Sequence, residues 1–155
     1  MEEKQNNENI KAQLFDANGN RLWGDDGMYI TDYLAVTQNN PKISFADGAF
    51  YIGWSQYSYV NTTQGSRGLY RVFGQKIVDN LRQWDPDGVL ISDWSSIDGG
   101  LTDIHLDSII GNYYVWSQFN VSLENFGSQF IYAKLVDSAG SAAIGWPEAG
   151  LNICD

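Results

Sequence analysis

Side chains that carry chemistry are scarce in this sequence: one cysteine, one histidine, and nine basic residues against nineteen acidic ones. With Cys154 alone there is no internal disulfide, and no Cys-His-Asn set accompanies it. No Ser-His-Asp arrangement can be assembled without His105. A net charge of −10 with no basic stripe repels phosphate backbones, so nucleic acid is not an expected partner. No apolar run approaches the length of a membrane span, and the stretch from Met1 to Asn9 lacks the hydrophobic region of a signal peptide. Helical periodicity is missing over any eleven residues, and no glycine-rich phosphate loop follows a strand. No cofactor is expected.

What the sequence does have is aromatic rings and glycine: six Trp, nine Tyr, seven Phe and 16 Gly, with only three Pro. That mixture suits strands joined by tight turns, and the expected class is all-β. The chain also repeats itself. Trp84 stands four residues before Gly88, which is followed by Ile91, a small residue and Asp93; Trp23 leads in the same way to Asp32, and Trp146 to Asp155. The period is 61 to 62 residues. Cys154 fills the slot of Thr31 and Ser92, so it reads as a substitution and not as a nucleophile.

Two further segments keep the period. Phe50 to Tyr57 returns as Asn112 to Phe119, with Trp-Ser-Gln-aromatic intact. Upstream of each leading Trp stands a strand ending in Asp16, Asp79 or Asp137, at separations of 7, 5 and 9 residues. Steps of two suggest hairpins lengthened by one residue per arm. Residues 1–9 are polar and expected to be disordered, 10–32 form a half repeat, and 33–93 and 94–155 form two complete ones. Each complete unit reads as four short antiparallel strands. Its first strand, Lys42 to Ala46, alternates as if one face were buried, and its second places Phe50, Ile52 and Trp54 on one face and Tyr51, Tyr57 and Tyr59 on the other.

The repeated Trp-x-x-x-Gly-x-x-Ile endings, the Asp16-Ala17-Asn18-Gly19-Asn20 turn and the internal Trp-Ser-Gln strand resemble the β-propeller-type repeats of large secreted bacterial proteins. The resemblance implies consecutive four-stranded blades, about two and a half of them, on an extracellular or cell-surface protein whose export signal lies outside this chain. A closed propeller needs at least four blades. Either further blades or further copies are therefore expected, with apolar faces open at both ends. The implied function is a non-catalytic scaffold or a weak glycan- or surface-binding module; the alternative is a piece of a carbohydrate-active propeller enzyme whose catalytic residues lie in other blades.

Candidate side chains follow. Tyr57, Tyr59 and Phe119 end the second strands, where rings can escape burial and stack on sugars. Asp103, His105 and Asp107 alternate along one strand and could hold a metal, although Lys42, Ser44 and Ala46 at the matching positions favour a solvated face. The acidic pairs Asp25/Asp26 and Asp85/Asp87 sit beside Gly and Pro and read as turn residues, as does the calcium-like Asp16 to Asn20.

Overall fold

The computed structural model describes residues 8–33, 35–63, 65–92, 96–97, 101–107, 112–122 and 125–154, giving the backbone alone for residues 60–62, 65–67, 69, 96–97, 101–107, 118–122 and 125–129. The described chain is all-β, with antiparallel strands and no helix. β1 (Lys11–Ala12) and β2 (Met28–Tyr29) form a pair. β3 (Thr37–Ala46), β4 (Ala49–Thr62) and β5 (Gly65–Val78) form a meander, and the outer edge of β5 is lined by three short pieces: β6 (Leu81–Arg82), β7 (Val89–Leu90) and β8 (Ser96–Ile97). The expected fourth strand is thus broken. Residues Asp85 to Gly88 turn away between its halves, held by a hydrogen bond from Gly88 N–H to the Asp85 carbonyl. β9 (Leu101–Asp107), β10 (Asn112–Ser122), β11 (Asn125–Val136) and β12 (Leu151–Asn152) form a second meander.

The sequence period is matched in the register. Ala12 pairs with Met28, Gly74 with Val89 and Ala133 with Leu151, so the three endings lie against their third strands in the same way. Trp54 and Trp116, 62 residues apart, are both fully buried and stack on Phe73 and Tyr132 at 6.0 and 5.7 Å. Ser55, the serine of the Trp-Ser-Gln motif, has a structural task. The first strand is bulged at Asn40-Pro41, and the Ser55 hydroxyl donates to the Asn39 carbonyl and to its side-chain oxygen. A bulge carrying proline suits an edge strand, where the missing N–H breaks no ladder bond.

The alternating faces of β4 read from the sequence are correct and bury two different layers. Ile52 and Trp54 join Ile10, Ile30 and Ile77 in one cluster, and Ala49 and Tyr51 join Val72, Trp84, Ile91, Tyr114, Trp116 and Val136 in the other. The central sheet is therefore covered on one side by the first segment and on the other by the last. The first two endings bury their Ile beneath the segment that follows: Ile30 and Ile91 are both 0 % exposed. Their leading Trp residues reach the same way. The Trp23 indole N–H donates to the Asn80 side-chain oxygen, and that of Trp84 to the Ser138 carbonyl at 3.0 Å, so both dock on the hairpin turn of the next segment.

Three expectations need correction. Ile43 and Phe45 of β3 are exposed, not buried, although Phe45 leans on Phe50 at 4.8 Å. They face the same side as Ile52, where β1 and β2 are too short to cover the edge strand. Second, the strands that end in Asp79 and Asp137 read alike as Lys76-Ile77-Val78-Asp79 and Lys134-Leu135-Val136-Asp137, but Lys134 does not correspond to Lys76. It pairs with Tyr114 as Gln75 pairs with Ile52, so the third strand is displaced by one residue from the Lys-x-Val-Asp match. Third, the unequal Asp-to-Trp separations are not longer arms. Asp16 and Asp137 head identical loops, each accepting two backbone N–H groups on one carboxylate oxygen, with Gly19 and Gly140 at φ of +81° and +91°. The middle hairpin instead turns on Asp79-Asn80 alone, both at positive φ. The last copy inserts Ile144-Gly145 before its Trp, and the Ile144 side chain stands fully in solvent.

Candidate binding surface

The polar residue that precedes each third-strand turn fastens the Trp loop. Gln13 accepts the Trp23 N–H and donates to the Gly24 carbonyl, and Gln75 accepts the Trp84 N–H and donates to the Asp85 carbonyl. Lys134 is buried at the same place and donates to the Glu148 carbonyl and carboxylate at 2.8 and 3.1 Å. Burying an amide or ammonium is tolerated here because its hydrogen bonds are made.

Of the proposed sugar-stacking rings, Tyr59 is 63 % exposed, while Tyr57 is partly buried between Tyr59 and Tyr70, with ring centroids at 4.9 and 4.5 Å. Tyr57 lies over Gly68, where an added methyl carbon would stand 2.6 Å from its ring, so the glycine is what lets the ring lie down on the strand. Tyr70 was missed in the sequence; its place opposite Tyr57 across the hairpin was the available signal. The result is one open ring, Tyr59, edge-on to Tyr57, which is itself tilted by 43° against Tyr70, near the end of β4. The Phe119 side chain lies outside the described residues.

The side chains of Asp103, His105 and Asp107 also lie outside the described residues; their backbone forms β9, with His105 opposite Val115 and Asp107 opposite Tyr113. Among the described residues no three His, Cys, Asp or Glu side chains gather as a metal site. Asp85 serves its turn, its carboxylate accepting the Asp87 N–H, and Asp25, Asp26 and Asp87 are exposed. Asp16 is equally committed: hydrogen bonds from the Asn20 side chain and backbone, with those of Asn18 and Gly19, hold its carboxyl below the usual carboxylate range. That is an Asx-type turn, not half a calcium loop.

Another group of open apolar side chains lies at the last Trp-led ending. Ile153 is 51 % exposed although Ile30 and Ile91, its counterparts, are sealed; Leu151 and Ile131 beside it are also open, and so is the free thiol of Cys154, whose counterparts Thr31 and Ser92 are buried. Comparison with known protein families, curated proteins and solved structures finds no match. Among the described residues no helix is long and apolar enough to cross a membrane.

Proposed function

We propose that this chain is a non-catalytic repeat segment of the β-propeller type, exposed outside the cell, that builds a scaffold by stacking one unit on the next. The observation that carries this reading is the recurrence of one joint. Trp23 and Trp84 each bond to the next segment's turn, and Ile30 and Ile91 each vanish under the next segment's sheet. Repeated units of this kind derive their stability from neighbour contacts, and their outer rims are free for recognition. The carboxylates of Asp16, Asp85 and Asp137 each hold a turn, and those of Asp32 and Glu148 pair with Arg82 and Lys134, so each has a structural task.

Tyr59 adds weak carbohydrate recognition to the scaffold, since an exposed tyrosine stacks on a sugar face while its hydroxyl reaches polar partners. A glycan array, followed by titration of any hit, tests this. Weak binding should vanish in Tyr59→Ala, with stability changed by less than about 0.5 kcal/mol. An array without hits leaves the scaffold alone. Hydrolysis of a glycoside by the purified chain would overturn the non-catalytic reading.

A further inference from the structure

One difference between the two joints is a matter of side-chain size. On β4, Ile52 faces the first segment, where the packed residue at the matching third-strand place is Ala12. On β10 the same place is held by Tyr114, which faces Gly74. A methyl carbon on Gly74 would stand 2.6 Å from the Tyr114 hydroxyl oxygen and 3.0 Å from the ring carbon bearing it. Alanine at position 74 is therefore incompatible with the tyrosine as it lies. The fit is one of size: a short third-strand residue admits a large side chain from the covering sheet, and a residue with one more carbon admits an aliphatic one. Tyr114 is fully buried, its hydroxyl has no hydrogen-bond partner, and burial pushes its pKa well up, so the ring is held by shape and not by a polar bond.

The open face of the last segment repeats the face that the last segment itself covers. Tyr113, Ile131, Trp146, Leu151 and Ile153 stand where Tyr51, Val72, Trp84, Val89 and Ile91 stand, and Tyr113 meets Trp146 at 5.8 Å as Tyr51 meets Trp84 at 6.1 Å. Its third-strand residue, however, is Ala133, as at the first joint, and not glycine. We infer that this face docks one further four-stranded unit of the same repeat, arranged in tandem, and that Ala133 selects a unit with an aliphatic residue at the place of Ile52 and rejects one with tyrosine there. This rests on the stacked-scaffold reading and adds a rule for which unit follows which. A second copy of this chain does not meet the rule, because its own Ile52 is already covered by Ile10 and Ile30.

Cys154 supplies the readout, since its counterparts are sealed at the covered joints. Residues 33–93 are appended after Asp155 of the full chain, once as they stand and once carrying Ile52→Tyr in the appended part, and alkylation of the thiol is timed in the native state. The first fusion should slow alkylation at least about tenfold relative to the unfused chain, as expected for a group reached only by local opening. The tyrosine fusion should react as fast as the unfused chain, and Ala133→Gly should restore its protection; circular dichroism confirms that each variant is folded. Equal protection by both fusions overturns the selection rule and leaves the scaffold reading standing. No protection by either overturns both. Protection of the unfused chain that grows with concentration would make a second copy the occupant and contradict the inference.

Discussion

Replacing Trp54 by alanine should lower the unfolding free energy by about 3 to 5 kcal/mol, as large-to-small changes of buried aromatics do. The ring is fully buried, stacks on Phe73 with planes 20° apart, and lies in the cluster that joins the first segment to the central sheet. Its indole N–H has no partner, so the loss is one of packing alone. Trp116→Ala should cost about the same, because Trp116 stacks on Tyr132 in the same manner and its N–H is likewise unpaired. Denaturant unfolding with an unchanged m value measures both. A loss below about 1 kcal/mol at either position would mean that the ring is not core.

The second large effect is expected at the glycines that close the Trp-led endings. Gly88 has φ of +84°, and an added methyl carbon would stand 2.6 Å from the Trp54 ring; Gly150 has φ of +81° and would meet Trp116 at 2.5 Å. Alanine at either place combines left-handed backbone strain of about 1 to 2 kcal/mol with displacement of a packed indole, for a total of about 3 kcal/mol or more. Gly48 separates the two contributions. It has φ of +75° with nothing within 4 Å, so Gly48→Ala should show the backbone strain alone. In a Trp54→Ala background the cost of Gly88→Ala should fall most of the way to that of Gly48→Ala, because the clashing ring is gone and only the Gly74 carbonyl oxygen, at 3.2 Å, stays close. If the cost persists, the indole contact is not what requires the glycine.

Much of the architecture was legible because the period puts identical residues into identical surroundings. The opposite faces of β4 followed from alternation, and the Asx turn at Asp16 from its composition. The displaced third strand was not legible: Lys76-Ile77-Val78-Asp79 and Lys134-Leu135-Val136-Asp137 look alike, but the buried position is Gln75 in one and Lys134 in the other. Resemblance near a turn says less about register than which side chain must be buried. Exposure of Ile43 and Phe45 was hidden for another reason, since what covers a strand is not written in the strand. At the candidate surfaces, the exposure of Tyr59 could be read from its place at a strand end. The Gly74 and Tyr114 fit could not, as the two residues meet only when the sheets are stacked; the trace in the sequence is that both depart together from the Ala12 and Ile52 pattern.

The claim that each segment's ending is buried by the segment after it is tested most directly by one substitution made at three equivalent places. Ile30→Ala and Ile91→Ala should each cost about 2 to 5 kcal/mol, because both side chains are 0 % exposed beneath a following sheet. Ile153→Ala, in the same motif but 51 % exposed, should cost less than about 1 kcal/mol. Equal losses at all three positions, or a negligible loss at Ile91, would contradict the account.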